Sequence, residues 1–147
     1  MSEWAGEMKS MHRAALGKPS HIMTGQPYVI VQNESKGTVL AGKARVASTC
    51  LRRAIGLLGR SGIDSGEGLI LVPCRSIHTF FMRFPIDVVF MDKEFRVLLL
   101  EENMQPFRVS PYLPGAYCVL EIPTGTITDT ATAEGDMLSV TPCTPCR

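Results

Sequence analysis

A mainly β fold is what this sequence predicts: a compact sandwich or partly open barrel of about six to eight strands, with one short α-helix near the start. Three observations predict it. Short β-branched and aromatic runs recur from residue 69 onward, and Gly, Pro, Asn and Asp turn signals separate them. Residues 47–58 have sustained helical periodicity, while "EWAGEMKSMHRAAL" near the N-terminus sets Trp4, Met8, Met11 and Leu16 only loosely on one side, and no strand–helix alternation repeats as a doubly wound parallel sheet would require.

The first strand is expected at "YVIVQN", from Tyr28, followed by a polar turn over Asn33 to Gly37 and a returning strand at "TVLAGKARV". Ala47, Leu51, Ala54, Ile55 and Leu58 then fall on one helical face, with Arg52 and Arg53 outward, Ser48 or Thr49 as N-cap and Gly59 as the stop. "SGIDSGEG" is a loop. "LILV", "SIHTFFM", "IDVVFM" and "FRVLLLE" read as strands, the last two joined by a turn at Asp92 to Glu94. Pro106, Pro111 and Pro114 exclude a central strand from the next segment, and "AYCVLEI" and "GDMLSV" close the series. Residues 1–27 read as a mobile N-terminal arm, 28–140 as a single β-rich domain and 141–147 as a flexible C-terminal tail.

Size and charge narrow the function classes. A chain of 147 residues can bury roughly two-thirds of its unfolded surface, enough for a core without metals or disulfides. Its net charge of +1 gives no global attraction to nucleic acid or to a membrane, so neither is an expected partner. With no run of about 18 apolar residues and no signal-peptide pattern, the chain as given reads as cytoplasmic. Its 5 cysteines, odd in number and irregular in spacing, fit thiols in a reducing compartment. The terminal C-x2-C at Cys143 and Cys146 supplies two of the four ligands that zinc needs.

Chemistry concentrates in "PCRSIHTFFMRFPID". Cys74, His78 and Met82 are spaced as in the ligand loop of blue-copper proteins, but a straight strand holds residues four apart roughly 13 Å from each other. A second histidine is also missing, since His12 and His21 lie in the arm. No cofactor is predicted, and copper or zinc at Cys74 and His78 is the alternative that the spacing leaves open. If a turn brought them together, Cys74 and His78 would make a thiol and its base. Asp87 sits inside an apolar strand, where a carboxylate must be paired or hydrogen-bonded, and a structural ion pair or capped backbone amine is the preferred reading. Glu121, in "VLEI", poses the same question with the same answer.

In order and with little gap, "RAIGLLGR", "GEGLILVPCRSIHTFFMRFPIDVVFMD", "VLLLEENMQPF", "VLEIPTG" and "EGD" resemble the domain of unknown function 192 family over roughly residues 28–140. The resemblance implies a compact, mainly β fold with an early helix. It places Met82 and Asp87 in the family's central signature, and Cys74 and His78 in a subgroup sharing "PC" and "IHT". The family has no established biochemical activity, so the resemblance informs architecture more than function.

Three functions follow. The favoured one is a binding domain for a small ligand, a metal or a protein segment at a face carrying Cys74, His78, Met82 and Asp87, with His78 and Asp87 facing a common concavity. The second is an enzyme using Cys74 or Asp87 with His78 as proton carrier. The third is a protein-interaction module acting through the proline-rich loop 106–114 or the arm, with Phe107 and Tyr112 as contacts.

Overall fold

The computed structural model describes residues 27–49 and 55–143, which form one seven-stranded sheet with the order β5-β4-β6-β3-β2-β1-β7. The strands are β1 (Tyr28–Asn33), β2 (Thr38–Ala47), β3 (Glu67–Leu71), β4 (Ile86–Met91), β5 (Val97–Met104), β6 (Cys118–Pro123) and β7 (Leu138–Pro142). A four-residue helix, α1 (Thr126–Asp129), joins β6 to β7. Every pairing is antiparallel except β2 with β3. The sheet curls into a half-barrel whose two edges touch at one end. There Val97 donates to the Asp136 carbonyl at 2.9 Å, Leu138 to that of Phe95 at 3.0 Å, and Arg96 bridges Met137.

Two apolar clusters lie on opposite faces of the sheet. The first fills the inside of the curl, drawing Val29 and Val31 from β1, Leu120 and Ile122 from β6, and Leu138 and Val140 from β7. The second covers the outer face of the β3, β4 and β6 region, where Leu69, Leu71, Val88, Phe90 and Val119 meet Leu57, Ile77 and Met82 from the loops. β4 is buried along its whole length and β6 along all but its last residue. That is why both read as continuous apolar runs without alternation. Gly68 lets β3 pack closely: a Cβ there would come 3.2 Å from the Ala41 Cβ and 3.2 Å from a Leu120 methyl.

Three expectations need adjustment. Ala47, placed on the face of the early helix, ends β2 instead. Residues 50–54 of that helix lie outside the described residues; Ile55 is helical, Leu57 rather than Leu58 is buried, and Gly59 is left-handed with φ 78°. β7 continues through Pro142, into the stretch expected as a tail, while the arm over residues 1–26 and residues 144–147 are outside the described residues.

The third correction is the largest, because "SIHTFFM" is not a strand. Its backbone pairs with the proline-rich segment through an isolated His78–Val109 bridge, and a turn closed by Met82 N–H on the Thr79 carbonyl interrupts it. Phe81 takes a positive φ of 63° in that turn. The partner segment contains Pro106 and Pro111, which have no N–H to donate, so a continuous ladder cannot form. Hydroxyl groups substitute for it. Ser110 Oγ accepts Ile77 N–H at 2.9 Å, and Thr79 Oγ1 accepts Arg108 N–H at 3.0 Å while donating to the Gln105 carbonyl at 2.7 Å.

Candidate functional site

The loop over residues 73–84 and the turn over 55–59 stand above the outer face of the sheet and leave a cavity of about 460 Å³ between them. Cys74, Ser76, His78 and Met82 come to it from the loop, Leu57 from the turn, Leu71 from β3, Tyr112 from the proline-rich segment and Glu121 from β6. Its walls are mostly apolar, with a few polar groups converging, which is the composition of a small-molecule site.

Glu121 is the unusual member. It points to the same face as Val119, two residues back on β6, and lies opposite Leu69 and Val88 on the neighbouring strands. The residue is 4 % exposed. Burial pushes its carboxyl up to about 7, and among the described residues no hydrogen bond or neighbouring charge offsets that burial. Its oxygens are not sealed in the core, because Glu121 lines the cavity. In the sequence Glu121 and Asp87 look alike, two acids in apolar strands; in the structure they differ in what surrounds them.

Asp87 is satisfied on every side. Its Oδ1 accepts Asn103 N–H at 2.9 Å, and its Oδ2 accepts Gly125 and Ile127 N–H, each at 3.0 Å. It therefore anchors the left-handed residue Asn103 of β5 and the first turn of α1. The capped-amine reading describes it. Asp87 alternates with Val88, so it shares the inner face with Val89 and Met91, whereas the loop carrying His78 packs over the outer face. Its carboxylate is absent from the cavity wall, so the expected His78–Asp87 concavity does not form. Period-2 alternation does not hold through residues 76–82, because an isolated bridge and a turn stand there in place of a strand.

Cys74, His78 and Met82 all line one cavity, and the turn at residues 79–82 carries Met82 back towards it. Their chemistry differs from the thiol–base arrangement. The Cys74 thiol donates to the Ser76 carbonyl at 3.2 Å. His78 is exposed, accepts Phe80 N–H on Nδ1 at 3.3 Å, and stacks on the Phe80 ring with centroids 5.2 Å apart. Met82 is 6 % exposed and packs in the outer cluster, as expected of a core residue. Among the described residues no group of three or more His, Cys, Asp or Glu is placed to hold a metal ion. Beneath the site, burial raises the pKa of the Cys118 thiol, which makes it a filler and not a nucleophile.

The pocket was only partly legible in the sequence. Cys74, His78 and Met82 stand out in the sequence by their spacing, which on a straight strand would keep them apart, and in the structure all three line the cavity. Glu121 had a signal that was underweighted: an acid with apolar neighbours on both sides in a strand predicted to be interior.

Residues 31–140 match the family model DUF192, described as an uncharacterized ACR. A UPF0127 protein of Thermococcus kodakarensis is 32 % identical over 118 residues, which cover 77 % of this chain and 74 % of that protein. One from Pyrococcus horikoshii is 34 % identical over 101 residues, 65 % of this chain and 85 % of the relative. Among solved structures, a protein of unknown function from Novosphingobium aromaticivorans superposes with a TM-score of 0.66 at 24 % identity, covering 76 % of this chain and 83 % of its own. A putative transcription regulator from Sinorhizobium meliloti gives 0.65 at 20 % identity, covering 77 % of this chain and 92 % of its own. At these identities the two structures share the fold.

Proposed function

The chain belongs to the DUF192 family, and on that premise we propose that it is a binding domain that takes a small, largely apolar ligand with a hydrogen-bond-donating or cationic end into the cavity beside Cys74, His78, Met82 and Glu121. The observation that carries this reading is the buried Glu121 carboxyl at the cavity wall, with no donor among the described residues offsetting its desolvation. A buried acid without a donor is costly, and a ligand that brings the donor removes the cost while its apolar part covers Leu57, Leu71 and Met82. The cavity volume of about 460 Å³ lies in the range of small-molecule sites. Neither Cys74 nor His78 supports the enzymatic alternative as well. The thiol is turned to Ser76, and the ring nitrogen nearest the backbone accepts from Phe80.

Calorimetric titration of the full chain with 2-phenylethylamine and with 2-phenylethanol tests the proposal. Both probes donate a hydrogen bond, and the amine adds a charge. The amine is expected to bind more tightly, to bind better at about pH 8 than at about pH 5 because Glu121 ionises between them, and to lose about tenfold or more in Glu121→Gln. Equal weak binding of both probes, unchanged by Glu121→Gln, would dispose of the reading.

A further inference from the structure

The same loops carry a second feature on their outer surface that does not depend on the cavity. Phe81 is 74 % exposed, Phe107 58 %, Val109 62 % and Tyr112 63 %. The rings form one array: Phe81 meets Phe107 edge-on at 5.6 Å, and Phe107 lies 6.4 Å from Phe80. Phe81 and Phe107 both adopt left-handed backbone, with φ 63° and 60°. That conformation is unfavourable for a side chain with a Cβ, and here it is held at the tips of two adjacent loops.

The charge carried by these two loops has one sign. Residues 73–84 and 105–115 contain Arg75, Arg83 and Arg108 and no aspartate or glutamate. All three arginines are exposed, and the salt bridges among the described residues, Lys36–Asp136 and Arg60–Glu67, involve none of them. The net charge of +1 conceals this local excess.

We infer that the two loop tips form a docking surface for an anionic lipid bilayer, with Phe81 and Phe107 entering the interfacial region and Arg75, Arg83 and Arg108 meeting the headgroups. Rings this exposed stand out from the surface as knobs. A folded partner or peptide would have to offer matching holes, whereas the boundary between headgroups and acyl chains deforms around them. Aromatic side chains favour that boundary, and arginines reach back from it to anionic headgroups. The sequence expectation of no membrane partner came from global charge, which does not register a patch of this size.

Flotation of the full chain with vesicles tests the inference, using phosphatidylcholine alone and phosphatidylcholine with about 30 % phosphatidylglycerol. Binding is expected to the anionic vesicles, to be lost in about 1 M salt, where the Debye length falls to about 3 Å, and to be weak on phosphatidylcholine alone. Arg83→Ala and Arg108→Ala should each weaken partitioning about fivefold. Phe81→Gly with Phe107→Gly should weaken it about tenfold or more. Glycine suits a positive φ, so thermal unfolding of that variant should be cooperative and near wild type, which separates lost docking from lost folding. Three results would each overturn the inference. They are no flotation with anionic vesicles, flotation undiminished in the double glycine variant, and a dimer by light scattering that those glycines abolish while vesicles remain unbound.

Discussion

Glu121 and Asp87 show how little a residue type says until its donors are counted. Both are carboxyl groups in apolar strands buried on two sides, at 4 % and 1 % exposure. Asp87 accepts three backbone N–H groups, whereas Glu121 has burial acting on it with no compensating group among the described residues. The consequence for Glu121 is a stability that depends on pH. Its carboxyl titrates near 4.5 when unfolded and near 7 when folded, so between those values the folded state holds the proton more tightly. Stability is therefore greatest below the unfolded value and falls as pH rises through the folded one, by about 3 kcal/mol in all. Glu121→Gln removes this term. Urea midpoints measured from about pH 4 to about pH 8 should show the variant gaining on wild type as pH rises. Parallel curves would mean that Glu121 has a partner in solution.

Strands were legible where both faces or alternate faces bury apolar side chains. β1 reads true because Val29, Val31 and Asn33 alternate inward, and β4 and β6 because they are buried on both faces, save for Pro123 at the end of β6. The segment at residues 76–82 misled because aromatic and β-branched content signals a surface to be packed, not a ladder to be paired. Its fate was decided largely about 30 residues away, by prolines in the segment it pairs with and by the Ser110 hydroxyl, with its own Thr79 hydroxyl accepting from Arg108. Sequence periodicity carries no information on such long-range satisfaction. Elements also depend on Asp87, which ties β4 to β5 and to the first turn of α1. Asp87→Ala should cost about 3 kcal/mol or more, since three backbone donors lose a charged acceptor at once. It should leave amine binding at Glu121 unchanged in whatever fraction remains folded, because the two carboxyls face opposite sides of the sheet. Loss of stability below about 1 kcal/mol in a denaturant titration would show that those amides find other acceptors.

At the scale of the whole molecule, the half-barrel is held closed at one end by the segment around Asp136, where β5 and β7 meet. Gly135 N–H donates to the Val97 carbonyl at 2.8 Å, and the Asp136 carbonyl accepts from Val97 at 2.9 Å. The Asp136 side chain draws in the β1–β2 turn as well, accepting from Asn33 Nδ2 at 2.8 Å, Lys36 Nζ at 2.9 Å and Ala133 N–H at 2.9 Å. Burial works against ionisation of this carboxyl, but the hydrogen bonds from Asn33, Lys36 and Ala133 outweigh it and hold the acid below its ordinary value of 3.8. The sign is opposite to that of Glu121. The folded state binds this proton less tightly, so the contribution of Asp136 is complete above the ordinary value and is lost as pH falls through the lower, folded one. Asp136→Asn should thus cost about 2 kcal/mol near neutral pH, where a charged acceptor is replaced by an amide that presents donors to donors. Because acid neutralises the wild-type group, the two proteins should converge in stability at the acid end of the titration. A gap of constant size from neutral to acid pH would place the role of Asp136 in shape alone, and the closure of the sheet would then rest on the backbone bonds from Leu138 to Phe95 and between Val97 and Gly135 and Asp136.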